Sequence, residues 1–257
     1  LYMRSFNLIN GNIITLNPKL NQAHSLSIDN GKIKSINKIV PKLKTIDLKG
    51  ATVIPGFIDA HFHLKNYGKR LEQLNLKGIN SLQEIKKLIT NKLQCIQRGE
   101  WILGFGWDQN LWEDKKFPQS DFLNNLAPKN PIYFTRIDGH ASWVNNVAIA
   151  KTNININQIH NIDGGKVIND CIMIDNSMGP FKDFLPQENK EQVKKWIYSA
   201  ALKASQMGIT GVHDAWQDKI TVEAIMELIH ENRFPIRCYG MLASNDYDLL
   251  NTYFTSG

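Results

Sequence analysis

The hydrophobic pattern of the chain changes near residue 50. Before that point, short runs of alternating apolar and polar residues are separated by turn residues, as in "SFNLINGNIITL" (5–16). The Asn-Gly pairs at Asn10–Gly11 and Asn30–Gly31 each predict a β-hairpin. These strands are too few and too short to bury a core alone. We therefore predict a small β-sandwich-type unit over residues 1–50 that packs on the rest of the chain.

After residue 50, apolar strand candidates alternate with helical periodicity, which indicates parallel βα units. Strands are predicted near residues 52–62, 101–106, 131–137, 208–213 and 235–241, and turn-rich insertions at about 108–130 and 151–187. A closed (β/α)8 barrel takes ~250 residues, which is more than remain after residue 50. Either the fold is not a closed barrel, or the chain is part of a longer one.

Three segments show the 3.6-residue periodicity of amphipathic helices. They are residues 81–97, 188–207 and 219–232. Ser81 is predicted as the N-cap of the first, with Glu84 completing a capping box. Gly208 is predicted to end the second, and Thr221 to cap the third.

Composition indicates an ordinary globular protein and excludes several classes. Of the 257 residues, 42% are hydrophobic, and the net charge of +6 comes from scattered lysines without a dense basic block. Bulk charge alone is weak support for a nucleic-acid partner, so none is expected. The three cysteines, Cys95, Cys171 and Cys238, are far apart and odd in number, which argues against a disulfide framework and favours a reducing cytoplasm.

Targeting and membrane segments are also not expected. Residues 1–16 lack a continuous apolar core with a cleavage site. No apolar run reaches the ~20 residues needed to span a bilayer. We therefore predict a cytoplasmic protein with no membrane partner.

The segment "VIPGFIDAHFHL" (53–64) combines an apolar run with two histidines one residue apart. In an extended strand, Asp59, His61 and His63 project from one face because side chains alternate. Two imidazoles in this arrangement can converge on one divalent cation, with nitrogens ~2.0–2.1 Å from a zinc ion. The alternative is a strand whose histidines only form hydrogen bonds, and the HxH pattern alone leaves both open.

The whole segment resembles the first barrel strand of the metal-dependent amidohydrolase superfamily, whose PGFIDxHxH-like signature follows a small β-sandwich domain. Further segments resemble successive blocks of the branch similar to N-substituted formamide deformylase: "GEWILGFGWDQNLW" (99–112), "PIYFTRIDGHASWVNN" (131–146), "IMIDNSM" (172–178) and "MGITGVHDA" (207–215). The resemblance implies an α/β fold in which residues 51–257 form part of a (β/α)8 TIM-like barrel, preceded by the N-terminal β unit.

The resemblance also implies a divalent metal, with zinc as the expected ion. His61 and His63 match the first two metal ligands of the family. Asp175 is a further candidate ligand, with an N-cap or surface role as the alternative. The polar residues expected to line the substrate pocket are Asp108, His140 and His213. The later histidines and the general-base aspartate of the family have no match in this chain, so the general base is expected beyond residue 257.

The implied function is metal-dependent hydrolysis of carbon–nitrogen bonds of the amide type, other than peptide bonds, in a small-molecule substrate. The chain is expected to be a truncated N-terminal portion with little activity alone. Its protein partner would be a complementing C-terminal half or a second copy. The alternative is a catalytically inactive remnant that acts as a binding or assembly module through its exposed sheet edge.

Overall fold

The computed structural model describes residues 4–256. The N-terminal part of this range contains seven short strands that form two small sheets. They are β1 (Phe6–Ile9), β2 (Asn12–Asn17), β3 (Leu20–Ala23), β4 (Leu26–Asp29), β5 (Lys32–Ile36), β6 (Thr45–Asp47) and β7 (Thr52–Val53). The sheet orders are β5-β4-β1-β6 and β3-β2-β7. Ile13, Ala23 and Leu26 are buried in a core to which both sheets contribute.

The two Asn-Gly pairs have different roles. Asn30 (φ 51°) and Gly31 (φ 76°) join the antiparallel strands β4 and β5, which confirms this hairpin. The hairpin predicted at Asn10–Gly11 is wrong, because β1 and β2 belong to different sheets. Gly11 packs closely against Leu48 as the chain crosses between the sheets, and a Cβ atom here would require the Leu48 side chain to move.

Strand β8 (Phe57–Phe62) and helix α1 (Leu64–Glu72) follow the N-terminal unit and carry the histidine pair. His63 occupies the N-cap position of α1. Phe62 and Leu64, on either side of His63, pack into a hydrophobic core, and Leu64 is fully buried.

The next part of the chain forms a mixed six-stranded sheet with helices. Its elements are β9 (Leu74–Asn75), α2 (Leu82–Leu93), β10 (Ile102–Trp107), α3 (Ser120–Leu126), β11 (Ile132–Arg136), β12 (Ala141–Val144), α4 (Asn146–Lys151), α5 (Ile156–His160), β13 (Gly165–Ile168) and β14 (Ile172–Asp175). The strand order is β13-β14-β12-β11-β10-β9, in which β9, β10 and β11 are parallel. Helix α2 starts at its predicted N-cap, where the Ser81 hydroxyl accepts a hydrogen bond from the Glu84 N–H at 3.3 Å.

Two strands predicted to lie in one parallel sheet with β8 belong to the six-stranded sheet instead. The strands predicted at 101–106 and 131–137 exist as β10 and β11, but they are not hydrogen-bonded to the sheet of β8. Residues 151–187, predicted as a turn-rich insertion, contribute β13 and β14 to the sheet of β10 and β11. A hydrophobic run predicts a strand but not its neighbours, which tertiary packing decides.

The remaining elements complete a three-stranded sheet. They are α6 (Lys190–Gln206), β15 (Ile209–Gln217), α7 (Lys219–His230), β16 (Arg237–Leu242) and α8 (Tyr247–Ser256). The order is β16-β15-β8 and all pairs are parallel. Helices α6 and α7 pack on one face, where Val212 contacts the same core as Ile197 and Leu228.

Both helices were predicted within two residues, with one correction at a cap. The N-cap of helix α7 is Asp218 rather than Thr221. Asp218 Oδ1 accepts from the Thr221 N–H at 3.0 Å and from its hydroxyl at 2.5 Å. The predicted cap, Thr221, therefore donates both hydrogen bonds to the actual cap, Asp218. In the described part of the chain, none of the helices has the length and apolar character needed to cross a membrane.

Candidate functional site

His61 and His63 lie together at the carboxyl end of β8. Their ring centroids are 5.0 Å apart and the ring planes are at 85°. Because Phe62 packs toward the helices, alternation places the two histidines on the opposite, open face of the sheet. Two imidazoles that each bind a tetrahedral zinc at ~2.1 Å have centroids roughly 5 Å apart. The observed separation therefore fits two ligands of one ion.

The ring of His63 is held by a second contact. Its Nδ1 lies 3.1 Å from the carbonyl oxygen of Ala215, at the end of β15. A carbonyl can only accept, so Nδ1 carries the proton and the lone pair of the neutral ring is on Nε2. Metal-bound histidines commonly donate their other N–H to a carbonyl or carboxylate in this way.

Asp214 lies beside His63, where it contacts the next residue, Leu64, and it was not predicted as a site residue. It is buried (2% exposed) and accepts from the Leu64 N–H at 2.6 Å and from Gln217 Nε2 at 2.8 Å. Burial raises the pKa of Asp214, and these two hydrogen bonds lower it by less. The sequence signal that could have identified Asp214 is an aspartate at the end of a buried apolar run, as in "GVHDA".

A charged network closes one side of the site. Lys65 Nζ is 2.7 Å from Asp218 Oδ2 and 3.2 Å from Glu188 Oε2. Burial lowers the pKa of Lys65, but the Asp218 hydrogen bond and the charge of Glu188 outweigh it and raise the pKa overall. His63, Lys65 and Trp216 line an adjoining cleft of about 310 Å³.

His213, a predicted pocket residue, lies on the strand next to the histidine pair. It is half-buried on β15, where the following residue, Asp214, pairs with Phe62 of β8. Its ring centroid is 5.1 Å from that of Tyr239 on β16. Val212 and Phe62 face the helices, so His213 and His61 share the open face of the sheet.

The other predicted site residues lie on the six-stranded sheet. Asp108 Oδ1 is 3.4 Å from Arg136 Nη2, and Arg136 also forms a salt bridge with Asp138. His140 Nδ1 is 3.0 Å from Asp175 Oδ1. Asp175 occupies the N-cap position of a 3-10 helix, but its side chain accepts no capping hydrogen bond. Its φ is 49°.

The structure does not bring Asp175 to His61 and His63. Among residues 4–256, no group of three or more histidine, cysteine, aspartate or glutamate side chains is arranged to hold a metal ion. Two histidines therefore converge, while a catalytic zinc ordinarily uses about three protein ligands.

Comparison with known proteins supports the resemblance seen in the sequence. The sequence model described as "Amidohydrolase family" matches residues 44–252. The chain is 27% identical over 218 residues to protein LONG AFTER FAR-RED 3 of Arabidopsis thaliana, covering 80% of this chain and 37% of that protein. It is 26% identical over 156 residues to N-substituted formamide deformylase of Arthrobacter pascens, covering 57% and 29% respectively.

A solved structure shows the same fold. An uncharacterised metal-dependent hydrolase from Pyrococcus horikoshii superposes with a TM-score of 0.73 at 22% identity, covering 97% of this chain and 50% of that one. The chain thus spans about half of this solved structure, and 37% and 29% of the two relatives named above. The predicted family is confirmed over most of the chain: this protein belongs to the amidohydrolase family.

Proposed function

We propose that this chain contributes to metal-dependent hydrolysis of carbon–nitrogen bonds of the amide type, other than peptide bonds, in a small-molecule substrate. The observation that carries the proposal is the convergent pair of His61 and His63, with the His63 ring held by the Ala215 carbonyl. Divalent zinc is the ion we propose, because imidazole nitrogen suits it.

In this proposal His61 and His63 bind the ion through their free ring nitrogens. A bound ion would polarise the substrate carbonyl and supply a water of lowered pKa. The proposed pocket residues are Asp108, His140 and His213. Asp175 as a further ligand would have to give up its hydrogen bond to His140 and move from the six-stranded sheet to the histidine pair.

We also propose that β8, β15 and β16 are strands of a partial (β/α)8 barrel, preceded by the N-terminal β unit, in a cytoplasmic protein. Parallel strands with helices on one face support this. In the described residues, the outer edges of β8 and β16 pair with no further strand. The proposed partner is a C-terminal polypeptide that supplies further strands, metal ligands and the general-base aspartate.

The first test measures binding of Zn²⁺ to the purified chain by calorimetry, and of Co²⁺ by visible absorption. Binding should be lost in His61→Ala and in His63→Ala, because each removes one of two ligands. His160→Ala is the control, since its exposed ring pairs with Asp170 away from this sheet. Equal binding in all variants would refute the proposed site.

The second test adds formamides and hydantoins to the zinc-loaded chain. We expect no turnover by the chain alone, and turnover once a polypeptide carrying the C-terminal part of a relative is added. Hydrolysis by the chain alone that His61→Ala abolishes would disprove the need for a complementing half.

One observation favours the alternative of a non-catalytic assembly module. The sheet exposes large apolar side chains on β8 and β16, including Phe57 (57%), Ile58 (58%) and Tyr239 (65%). Such a surface and open strand edges promote self-association. Light scattering separates the two cases: a homo-oligomer without zinc binding supports the module, and a zinc-binding monomer supports the hydrolase.

A further inference from the structure

The carboxyl end of β15 contains a β-bulge beside His63. Asp214 pairs with Gly240 and Gln217 pairs with Leu242, so β15 has one more residue than β16 over this interval. Trp216, inside the bulge, has φ 62°, a conformation that bulky residues seldom adopt. Bulges commonly redirect groups near functional sites. Here the Ala215 carbonyl within the bulge accepts a hydrogen bond from the N–H at His63 Nδ1.

Asp214 connects this bulge to the end of β8. One carboxylate oxygen accepts from the Leu64 N–H, directly after His63, at 2.6 Å. The other accepts from Gln217 Nε2, across the bulge, at 2.8 Å. Gln217 Nε2 also lies 3.4 Å from Cys238 Sγ on β16, so two buried side chains, Asp214 and Gln217, connect the start of α1 with β15 and β16.

We infer that Asp214 is a positioning residue that fixes the orientation of the His63 ring. It holds the backbone on the carboxyl side of His63, and it holds the bulge that presents the Ala215 carbonyl to the ring. Both anchors of the ring thus depend on one carboxylate. The consequence for ion binding rests on the proposed function, whereas the orientation of the ring does not.

The roles of the two partners explain why a carboxylate is present. Both Leu64 and Gln217 donate hydrogen bonds, so the residue between them has to accept on each side. An asparagine of the same shape offers one acceptor and one donor. Its NH₂ group would face a donor, and one hydrogen bond in a buried position would be lost.

The test compares Asp214→Asn with the wild type by ¹⁵N NMR of histidine side chains, without metal and at one neutral pH. We expect Nδ1-protonated His63 in the wild type and a mixture of both tautomers in the variant. Zn²⁺ affinity should fall about 10–100-fold, as for other partners of metal-bound histidines. Asp170→Asn is the matched control, since it removes the carboxylate that pairs with His160.

Rescue distinguishes positioning from general destabilisation. In Asp214→Asn combined with Gln217→Glu, the new amide can donate to the new carboxylate, so both hydrogen bonds return with the same net charge. We expect the Nδ1-protonated tautomer and the affinity to recover. If Asp214→Asn does not fold, Gln217→Met, which removes only one of the hydrogen bonds, should shift the tautomer in the same direction.

Each outcome has a defined meaning. An unchanged His63 tautomer in Asp214→Asn would overturn the inference, and the same holds for Gln217→Met where that variant is used. A tautomer change that the double variant does not reverse would also overturn it. If the tautomer changes as expected but the wild type binds no Zn²⁺, the proposed function fails and the positioning role stands. If wild type and variant bind Zn²⁺ equally with the same tautomer, only the positioning role fails.

Discussion

The six-stranded and three-stranded sheets differ in how completely they bury their side chains. On the six-stranded sheet, Trp107, Phe134 and Trp143 are fully buried in one aromatic cluster. The three-stranded sheet is covered by helices on one face, while Phe57 and Tyr239 are 57% and 65% exposed. The first region completes its own core, and the second carries the convergent histidines on an open surface.

This difference shows that stability and the proposed chemistry lie in different places. Burying apolar surface contributes about 25 cal/mol per Å², so the aromatic cluster is expected to dominate the free energy of folding. The open sheet gains less, because His61 and His63 as well as the apolar side chains of Phe57 and Tyr239 stay exposed. Substitutions in the two regions should therefore have separable effects on stability and on ion binding.

The largest expected effect is that of Trp143→Ala. Trp143 contacts Trp107, Trp112 and Phe122, and its truncation should lower the free energy of unfolding by about 3–5 kcal/mol. In the described structure its indole N–H has no hydrogen-bond partner, so the loss is one of packing. Urea denaturation measures the change.

The matched control is Trp216→Ala on the open sheet, where this residue is 61% exposed. Alanine keeps the Cβ atom, so the strain at φ 62° is unchanged. We expect a change within about 0.5 kcal/mol. Equal losses at both tryptophans would contradict the contrast between the regions.

The second effect concerns the helix that follows the histidine pair. A Cβ atom at Gly68 of α1 would lie 2.0 Å from the Trp196 carbonyl oxygen of α6. Gly68→Ala should separate these helices and lower the free energy of unfolding by about 1–3 kcal/mol. It should also weaken Zn²⁺ binding, because α1 begins directly after His63. Thermal unfolding and calorimetry test both expectations.

Gly179→Ala is the control, since no atom lies within 4 Å of an added Cβ at that position. It should leave both unfolding and Zn²⁺ binding near wild-type values. A Gly68→Ala variant as stable as the Gly179→Ala variant would show that α1 and α6 can move apart freely.

Local signals predicted local structure well in both regions. Ser81 caps α2, Gly208 follows α6, and Asn30–Gly31 forms a hairpin, because each depends on backbone chemistry within a few residues. The spacing of His61 and His63 likewise placed two rings on one face, since alternation along a strand is a local property.

Long-range pairing was not predictable from these signals. Strands β10 and β11 have the same apolar character as β8 and β15, yet they join a different sheet. Asp214 was missed for the same reason, because its donors include Leu64, which is 150 residues earlier. Asp175 and the histidine pair likewise belong to different sheets, and sheet membership is not encoded locally in a single sequence.

The smallest expected effect is that of Lys65→Met, at the edge of the open sheet. Burial raises the pKa values of Glu188 and Asp218. Hydrogen bonds and the positive charge of nearby lysines, including Lys65, lower both pKa values by more than burial raises them. Both pKa values therefore lie below the ordinary 4.5 and 3.8. A carboxylate whose pKa is lowered on folding stabilises the fold fully when the pH is above its pKa in the unfolded state. This stabilisation is lost as the pH falls through its pKa in the folded state.

Lys65→Met should therefore lower the free energy of unfolding by about 1 kcal/mol at pH 7, with the difference closing below about pH 4. The pKa of Lys65 is raised above 10.5, so the stability difference between wild type and Lys65→Met should also disappear as the pH rises through this raised pKa. Lys195→Met, whose amino group pairs with Glu72 on the surface, is the control and should show no measurable change. Urea denaturation from pH 3 to pH 8 tests the acid side. A difference that does not narrow at all between pH 8 and pH 3 would show that Lys65 stabilises this edge by packing of its aliphatic stem rather than by charge.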